Sequence, residues 1–310
     1  EAYIDGEWVK AKGTTLGGDD GIGIAASLAI LASDDIEHGP IECLFTVDEE
    51  TGLSGAFALS TDILKGKILL NLDSEDEGEI FIGCAGGKDT TAELTFAKQP
   101  VPKDFKAFKA SVYGLKGGHS GDDINKGLGN ANKLLNRFLW EIDNNFEIYL
   151  TEFNGGNLRN AIPREAFAIV LVNINDIDKI KEIAVKHNKD IKFEYRSTEP
   201  DLTFSFVETE IPQYVIDNEA KAKLLNSLYA CPHGVISMSR EIENFVETST
   251  NLAAVKFDGN KIRITTSQRS SVESSKEDVC NMVASVFKLA GADITQGDGY
   301  PGWTPNPDSK

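Results

Sequence analysis

The sequence predicts an α/β fold in which a partial three-layer α/β/α domain is interrupted by an inserted α+β unit. The segment IGIAASLAILAS, which starts at Ile22, is apolar on nearly all sides, as in a helix buried within an α/β layer. Residues 41–47 and 67–73 are short apolar runs that end abruptly in acidic residues, which favours buried strands. A short helix predicted in SGAFALSTDIL, between those runs, completes the strand–helix–strand order of a doubly wound sheet.

The pattern of the sequence changes after GCAGGKD, where alternating segments become mixed with helical ones. TTAELTFAK and FKAFKASVYGL alternate, whereas GNANKLLNRFLWEID has a helical period. A second round of such elements follows, in which a DGN turn between two alternating segments predicts a hairpin. We therefore predict a lid domain at residues 87–300, with residues 1–86 and 301–310 in the α/β domain. The similar order of elements in its two parts raises the hypothesis of a duplicated lid.

Composition excludes several classes of protein. Among 310 residues, 41% are hydrophobic and 26% are charged, and no apolar run approaches the length of a membrane helix. The net charge of −18 would repel phosphate backbones, so we expect no nucleic-acid partner. The cysteines have no metal-binding spacing and we expect reduced thiols, with Cys43 and Cys280 buried among apolar neighbours. Together with the lack of a secretory signal at the start, they predict a cytoplasmic protein.

Acidic residues stand at the ends of three predicted elements within one stretch of the chain. They are Asp19 before the helix, Glu49 and Glu50 after the first strand, and Asp73 after the second. Ligands collect at the carboxyl ends of strands in such sheets, and converging carboxylates repel one another unless cations neutralise them. Each acid alone has a plainer interpretation, as a helix cap or a solvated loop. Their convergence favours a metal site, without deciding between magnesium, calcium and a transition metal.

Seven separate strings, in this order along the chain, resemble one family of peptidases. This is the di-zinc family of carnosinases, aminoacylases and carboxypeptidase G, in its aminoacyl-histidine dipeptidase branch. The resemblance implies hydrolysis of dipeptides, including Xaa-His dipeptides, at two divalent metal ions per site, with zinc expected and cobalt or manganese as alternatives. The strings are LGGDDGIG, FTVDEETGLSGAF, NLDSEDEGEIFIGCAGG, GLKGGHSG, GGNLRNAIPRE, VETSTNL and YPGWTPNPDS.

The resemblance also implies a role for each acid. Asp19 resembles the carboxylate that bridges the two metals, Glu50 a ligand of one metal and Asp73 a ligand of the other. Glu49 then resembles the general base that takes a proton from the attacking water. The family also uses a His-x-Asp motif upstream of the bridging Asp and a further His far downstream, and this sequence has neither. We therefore expect a chain truncated at both ends, with an incomplete metal site and no activity by itself.

In the lid, the resemblance implies that His119 of GLKGGHSG stabilises the tetrahedral oxyanion. A substrate carboxylate needs a cation, and the forked guanidinium of arginine binds it best. Arg159, Arg164 and Arg269 are the candidates from the residues alone, and the resemblance favours Arg269, with Asn160 or Asn251 as polar contacts to the substrate. A homodimer is compatible with such a lid.

Two alternatives to dipeptide hydrolysis stay open. An amidohydrolase that removes N-acyl groups from amino acids would use the same metal centre. A non-catalytic module, in which the acids bind calcium or only solvate the surface, is the other, although nothing resembles the DxDxDG loop of an EF-hand.

Overall fold

A computed structural model describes residues 1–49, 53–74, 78–303 and 305. The chain divides into two compact units, Glu1–Ile80 and Phe81–Lys310. The division lies near the predicted boundary at residue 86. The assignment of residues 301–310 to the first domain stays a prediction.

The first unit contains a two-stranded hairpin and two helices among its described residues. Strand β1 pairs antiparallel with β2, and Asp5 lies opposite Trp8 at the turn. Helix α1 was expected to be buried, yet Ile22 is 72% exposed and only Gly23 of this helix is buried. The elements are β1 (Ala2–Asp5), β2 (Trp8–Ala11), α1 (Gly18–Ala32) and α2 (Ser54–Phe57).

The two buried strands predicted at residues 41–47 and 67–73 do not form in this unit. Both segments lack strand pairing, and Ile68, Leu69 and Leu70 are 86%, 78% and 80% exposed. A strand exists only through hydrogen bonds to a neighbour, and a parallel strand needs covering layers on both faces. The described residues of the unit supply one short hairpin and two helices, which offer neither the neighbours nor the cover. The prediction of these two strands is therefore wrong for this structure.

Within the described part of the second unit, nine strands form one sheet in the order β10-β5-β9-β7-β13-β14-β3-β15, with β12 also paired to β13. The pairs β11–β4 and β6–β8 lie outside this sheet. Asp258 lies opposite Lys261 at the tip of the β13–β14 hairpin, as the DGN turn predicted. The bounds are β3 (Gly86–Thr95), β4 (Lys98–Gln99), β5 (Phe105–Tyr113), β6 (Gly118–His119), β7 (Ile148–Gly155), β8 (Ala161–Ile162), β9 (Ala166–Asn173), β10 (Thr203–Glu208), β11 (Val215–Ile216), β12 (Gly234–Met238), β13 (Val246–Asp258), β14 (Lys261–Ser270) and β15 (Asp293–Gln296).

The helices of this unit, together with the sheet order, reveal a duplication. They are α3 (Ala131–Asn145), α4 (Ile177–Glu194), α5 (Asn218–Ala230) and α6 (Glu273–Leu289). Half A runs β5-α3-β7-β9-α4-β10, and half B runs β3-α5-β13-β14-α6-β15. Both are β-α-β-β-α-β units in which the strands lie in the spatial order fourth, first, third, second. The two halves meet where β7 pairs with β13, and half A is inserted after β3 of half B.

The main core of the second unit lies between the sheet and its helices. Phe108 of β5, Phe138 of α3 and Phe287 of α6 are fully buried in one cluster that draws on all four of these helices. Helix α3 begins at a cap, because the Asn130 side chain accepts a hydrogen bond from the Lys133 backbone N–H at 3.2 Å. Alternation along β5 turns Ala107 to the opposite face, where only a small second cluster forms. That face of the sheet is left largely open.

No helix in the described ranges is both long and apolar enough to cross a membrane. All four cysteines are free thiols; Cys280 is buried as predicted, whereas Cys43 is only half-buried. Cys43 is less buried than Cys280 because the described elements of the first unit cover its side chain only in part.

We expect the second unit to lose stability between pH 7 and pH 5 because of His187. This histidine is 3% exposed and packs against Phe138 and Phe204, and burial lowers its pKa to about 4. The unfolded chain takes up a proton near pH 6.5, whereas the folded chain resists protonation until about pH 4. Stability therefore falls as pH falls through this window, by roughly 2 kcal/mol at pH 5.

Urea unfolding of wild type and His187→Leu as a function of pH measures this effect. The substitution should remove about half of the dependence between pH 7 and pH 5, because burial also lowers the pKa of His233 to about 4. Substitution of the exposed His38 by leucine should leave the dependence as it is. An unchanged slope in His187→Leu would contradict the assignment.

Candidate functional site

The two aspartates at the start of α1 have different tasks. The carboxylate of Asp20 accepts a hydrogen bond from the Gly23 backbone N–H at 3.0 Å and so caps the helix. A Cβ atom at position 23 would overlap this carboxylate, which explains a glycine there. The capping interpretation that the sequence left open therefore applies to Asp20, and Asp19 remains available for other contacts.

Asp19 instead lies near Asp73, the last residue of the apolar run at residues 67–73. The pKa of Asp73 is raised to about 6 by desolvation, by a hydrogen bond with Asp19 and by the negative charges of Asp19, Asp20 and Glu49. Two carboxylates can share a hydrogen bond only if one of them holds a proton. The first unit thus gathers three of the predicted acids, Asp19, Glu49 and Asp73, into one region of mutual repulsion.

These acids suit a cation by their chemistry, because a divalent ion would relieve the repulsion that raises the pKa of Asp73. Glu50, the other predicted ligand, lies outside the described residues. In the described part of the chain, no group of three or more His, Cys, Asp and Glu side chains is arranged to hold a metal ion. The structure therefore brings Asp19 and Asp73 together. The assignment of the other metal ligands stays a prediction.

In the second unit, His119 is held at the tip of a tight turn after β5. Its strand β6 pairs with β8, so that His119 lies opposite Ala161, and the next backbone N–H, of Ser120, donates to the Asn160 carbonyl at 2.7 Å. The backbone N–H of His119 donates to Oδ2 of Asp123 at 2.7 Å. This network fixes the position of the imidazole without using either ring nitrogen.

Both ring nitrogens of His119 have partners. Nδ1 lies 2.7 Å from Oδ2 of Asp122, and Nε2 lies 3.5 Å from Nη2 of Arg269. A carboxylate accepts and a guanidinium only donates, so these contacts select the tautomer with the proton on Nδ1. Donation from Nε2 to a substrate oxygen therefore requires the doubly protonated imidazolium.

Arg269 and Asn251 reach the same place from strands β14 and β13 of half B. Asn251 donates from its side-chain nitrogen to the Ala161 carbonyl at 2.8 Å, directly beside the His119 turn. Within the described residues, Nε of Arg269, Oδ1 of Asn251 and Oγ of Ser120 are buried without a hydrogen-bond partner. Buried polar atoms are rarely left unpaired, so a polar ligand at this place would supply the missing hydrogen-bond partners. We call His119, Asn160, Asn251 and Arg269 the lid cluster.

The three candidate arginines differ in their contacts and in their exposure. Arg159 forms an ion pair with Asp89 at 2.9 Å, and Arg164 is exposed. Of the three, Arg269 alone combines contact with His119 and a buried unpaired N–H, and its role in binding the substrate stays a prediction. Asp122 and Asp123, which orient His119, were missed because an acidic pair after SG looks like a solvated loop.

The lid cluster straddles the junction between the two halves. His119 and Asn160 belong to half A, whereas Asn251 and Arg269 belong to half B. The junction itself is narrow, since β7 and β13 pair through Gly155 and Val255. The lid cluster therefore combines residues from two halves that have the same topology.

Part of the second unit, within half A, matches a known domain family. Residues 107–199, which lie within half A, match the family model described as "Peptidase dimerisation domain" (M20_dimer). The chain is 44% identical over its whole length to the cytosol non-specific dipeptidase of Escherichia coli K12, of which it spans 64%. Its structure matches that of the aminoacylhistidine dipeptidase from Vibrio alginolyticus with a TM-score of 0.85 and 46% identity, over 100% of this chain and 63% of that one. A more distant relative is the uncharacterized protein YqjE of Bacillus subtilis, 32% identical over 51% of this chain and 40% of its own length.

The chain is similar to these dipeptidases along its whole length. The match along the whole chain confirms the predicted α/β fold class and the resemblance on which the site assignments depend. The chain spans just under two thirds of the length of the two dipeptidases.

Proposed function

We propose that the natural full-length protein is a metal-dependent dipeptidase that hydrolyses unblocked dipeptides, including Xaa-His dipeptides. The observation that carries the proposal is the lid cluster, in which a histidine, two asparagines and a half-buried arginine converge with unpaired polar atoms. Such a set suits a small peptide, which offers a carbonyl oxygen and a terminal carboxylate to hydrogen-bond donors. The two dipeptidases to which the chain is similar support the same activity.

In this proposal Asp19, Glu50 and Asp73 would hold two divalent metal ions, zinc by expectation. When bound, the metals supply Lewis acidity and lower the pKa of the attacking water. Glu49 takes the proton of that water and later delivers it to the leaving amine. Arg269 and the asparagines bind the substrate, and His119 as imidazolium donates to the oxygen that becomes negative.

The same proposal includes a cellular location and an oligomeric state. The name of the Escherichia coli relative supports a cytosolic location, and the match to a dimerisation domain supports a homodimer. Half B already occupies the edge of half A at β7, so a second copy would have to use another edge or face of the lid.

Assays of the full-length protein with β-alanyl-histidine, alanyl-histidine and N-acetylated amino acids test the proposal. We expect hydrolysis of the free dipeptides, loss of activity with a chelator, and recovery with Zn²⁺, Co²⁺ or Mn²⁺. Activity confined to the acetylated compounds would favour the amidohydrolase alternative. Absence of hydrolysis together with calcium binding would favour a non-catalytic module.

A further inference from the structure

A cavity of about 940 Å³ opens on the face of half A that lacks helices. It is lined by residues of β5, β9 and the loop between β7 and β8, and it begins at His119 and Asn160 of the lid cluster. Its volume lies at the upper end of the range for sites of small ligands, roughly 300–1,000 Å³. The cavity therefore has room for a good deal more than the backbone of a dipeptide.

The charge of the cavity wall is opposite to that of the protein. The chain carries a net charge of −18, yet the cavity wall holds four cations against one acid, Glu165. The cations are Lys109, Lys116, Arg164 and Lys256. In the described part of the chain, none of the four forms an ion pair with a carboxylate. Their positive charge is thus available to a ligand.

The ammonium of Lys256 is held in the cavity wall by neutral side chains. It donates to the side-chain oxygens of Asn154 and Asn157, both at 2.7 Å, so its hydrogen-bond partners are neutral. Burial lowers the pKa of Lys256, and the nearby Glu152 and Glu165 act in the opposite direction. Lys109 lies over the ring of Phe167, 4.2 Å from its centroid, which also leaves its charge without a counter-ion.

Lys116 and Arg164 flank the two short strands that hold His119. Lys116 comes just before β6, and Arg164 comes just after β8, with its Cβ beside Gly117. A ligand held at His119 would therefore meet cations as it enters the cavity. Screening limits charge effects to about 8 Å at physiological salt, so these cations act on groups within the cavity itself.

We propose that this cavity is a substrate subsite for acidic peptides, in which anionic side chains of the substrate meet Lys116, Arg164 and Lys256. The inference deepens the proposed dipeptidase function and rests on it. It adds a preference for glutamyl and aspartyl substrates over lysyl ones that the lid cluster alone does not explain.

Binding to chelator-treated full-length protein tests the subsite without requiring hydrolysis. The probes are Ala-Glu, Ala-Ala and Ala-Lys, measured by isothermal titration calorimetry and recovered intact by mass spectrometry. We expect Ala-Glu to bind at least about fivefold more tightly than Ala-Lys, since each exposed charge pair contributes up to about 1 kcal/mol. Arg164→Gln and Lys256→Gln should each weaken Ala-Glu about fivefold and leave Ala-Ala unchanged. Lys106→Gln is the matched control, because Lys106 lies on β5 but pairs with Glu208 outside the cavity.

Equal affinity for Ala-Glu and Ala-Lys, or Ala-Glu binding that neither variant changes, would overturn the subsite. Inorganic phosphate is a further probe, and phosphate binding that depends on Arg164 and Lys256 without binding of Ala-Glu would assign the cavity to another anion. Metal-loaded protein then separates the two proposals. Lack of hydrolysis of every dipeptide defeats the dipeptidase, whereas hydrolysis with the same kcat/KM for Ala-Glu and Ala-Lys defeats only the subsite.

Discussion

Substitution of Glu49 by glutamine should lower kcat of the full-length protein about 10²- to 10⁴-fold, the range that a general base contributes. Glutamine keeps the size of the side chain but cannot take a proton, so the water loses its base. Glu49 lies close enough to Asp73 to raise the pKa of that carboxyl, and its side chain is exposed. The substitution should therefore reduce kcat with little effect on folding.

The control for this variant is Glu37→Gln, which removes an exposed carboxylate after α1. It should keep the wild-type rate, and both variants should unfold at the wild-type urea concentration. A rate for Glu49→Gln within about tenfold of wild type would show that another group acts as the base, because the loss would fall below the range for general-base catalysis.

Substitution of Gly156 by alanine should destabilise the lid on the order of 3 kcal/mol, because it combines overpacking with a strained backbone. Gly156 follows β7 and has φ +68, a conformation that residues with a Cβ adopt reluctantly. A Cβ there would overlap the carbonyl oxygen of Ala253 in β13. The substitution therefore pushes half A and half B apart at the junction that positions the lid cluster.

Gly259→Ala is a matched control for the backbone strain alone. Gly259 has φ +61 in the β13–β14 turn, and a Cβ there would have nothing within 4 Å. It should cost about 1–2 kcal/mol, the cost of a left-handed backbone for a residue with a Cβ, and so less than Gly156→Ala. Hydrogen exchange should accelerate in β7 and β13 of Gly156→Ala, and urea unfolding measures the difference in stability. Equal losses in the two variants would contradict the close approach at the junction.

The lid could be predicted element by element because its signals are local. GNANKLLNRFLWEID predicted a helix, and α3 runs from Ala131 to Asn145; the alternating segment FKAFKASVYGL likewise became β5. The duplication could be suspected from the order of elements, but the sheet order depends on long-range pairing that no local pattern specifies. The strands predicted at residues 41–47 and 67–73 failed for the same reason, since the sequence shows an apolar run and not the neighbour that it needs.

The features of the candidate site were likewise predictable only where the signal is local in the sequence. His119 lies among glycines in GLKGGHSG, and the structure shows the turn that they allow, with Asp123 against Gly118. The sequence could not tell which of Asp19 and Asp20 caps the helix, nor which arginine stands beside His119, because both answers depend on side-chain directions. The cation-lined cavity was missed entirely, since Lys256 and Lys116 lie 140 positions apart and meet only in the folded sheet.

Metal content and hydrolysis, measured on the same samples of the full-length protein, test the account most directly. Wild type should bind two divalent metal ions per chain and hydrolyse alanyl-histidine in proportion to the bound metal. Asp19→Ala should lose both metals, and Asp73→Ala should lose one, each with loss of hydrolysis. Full hydrolysis by metal-free wild type, or by Asp19→Ala with unchanged metal content, would contradict the assignment of these carboxylates.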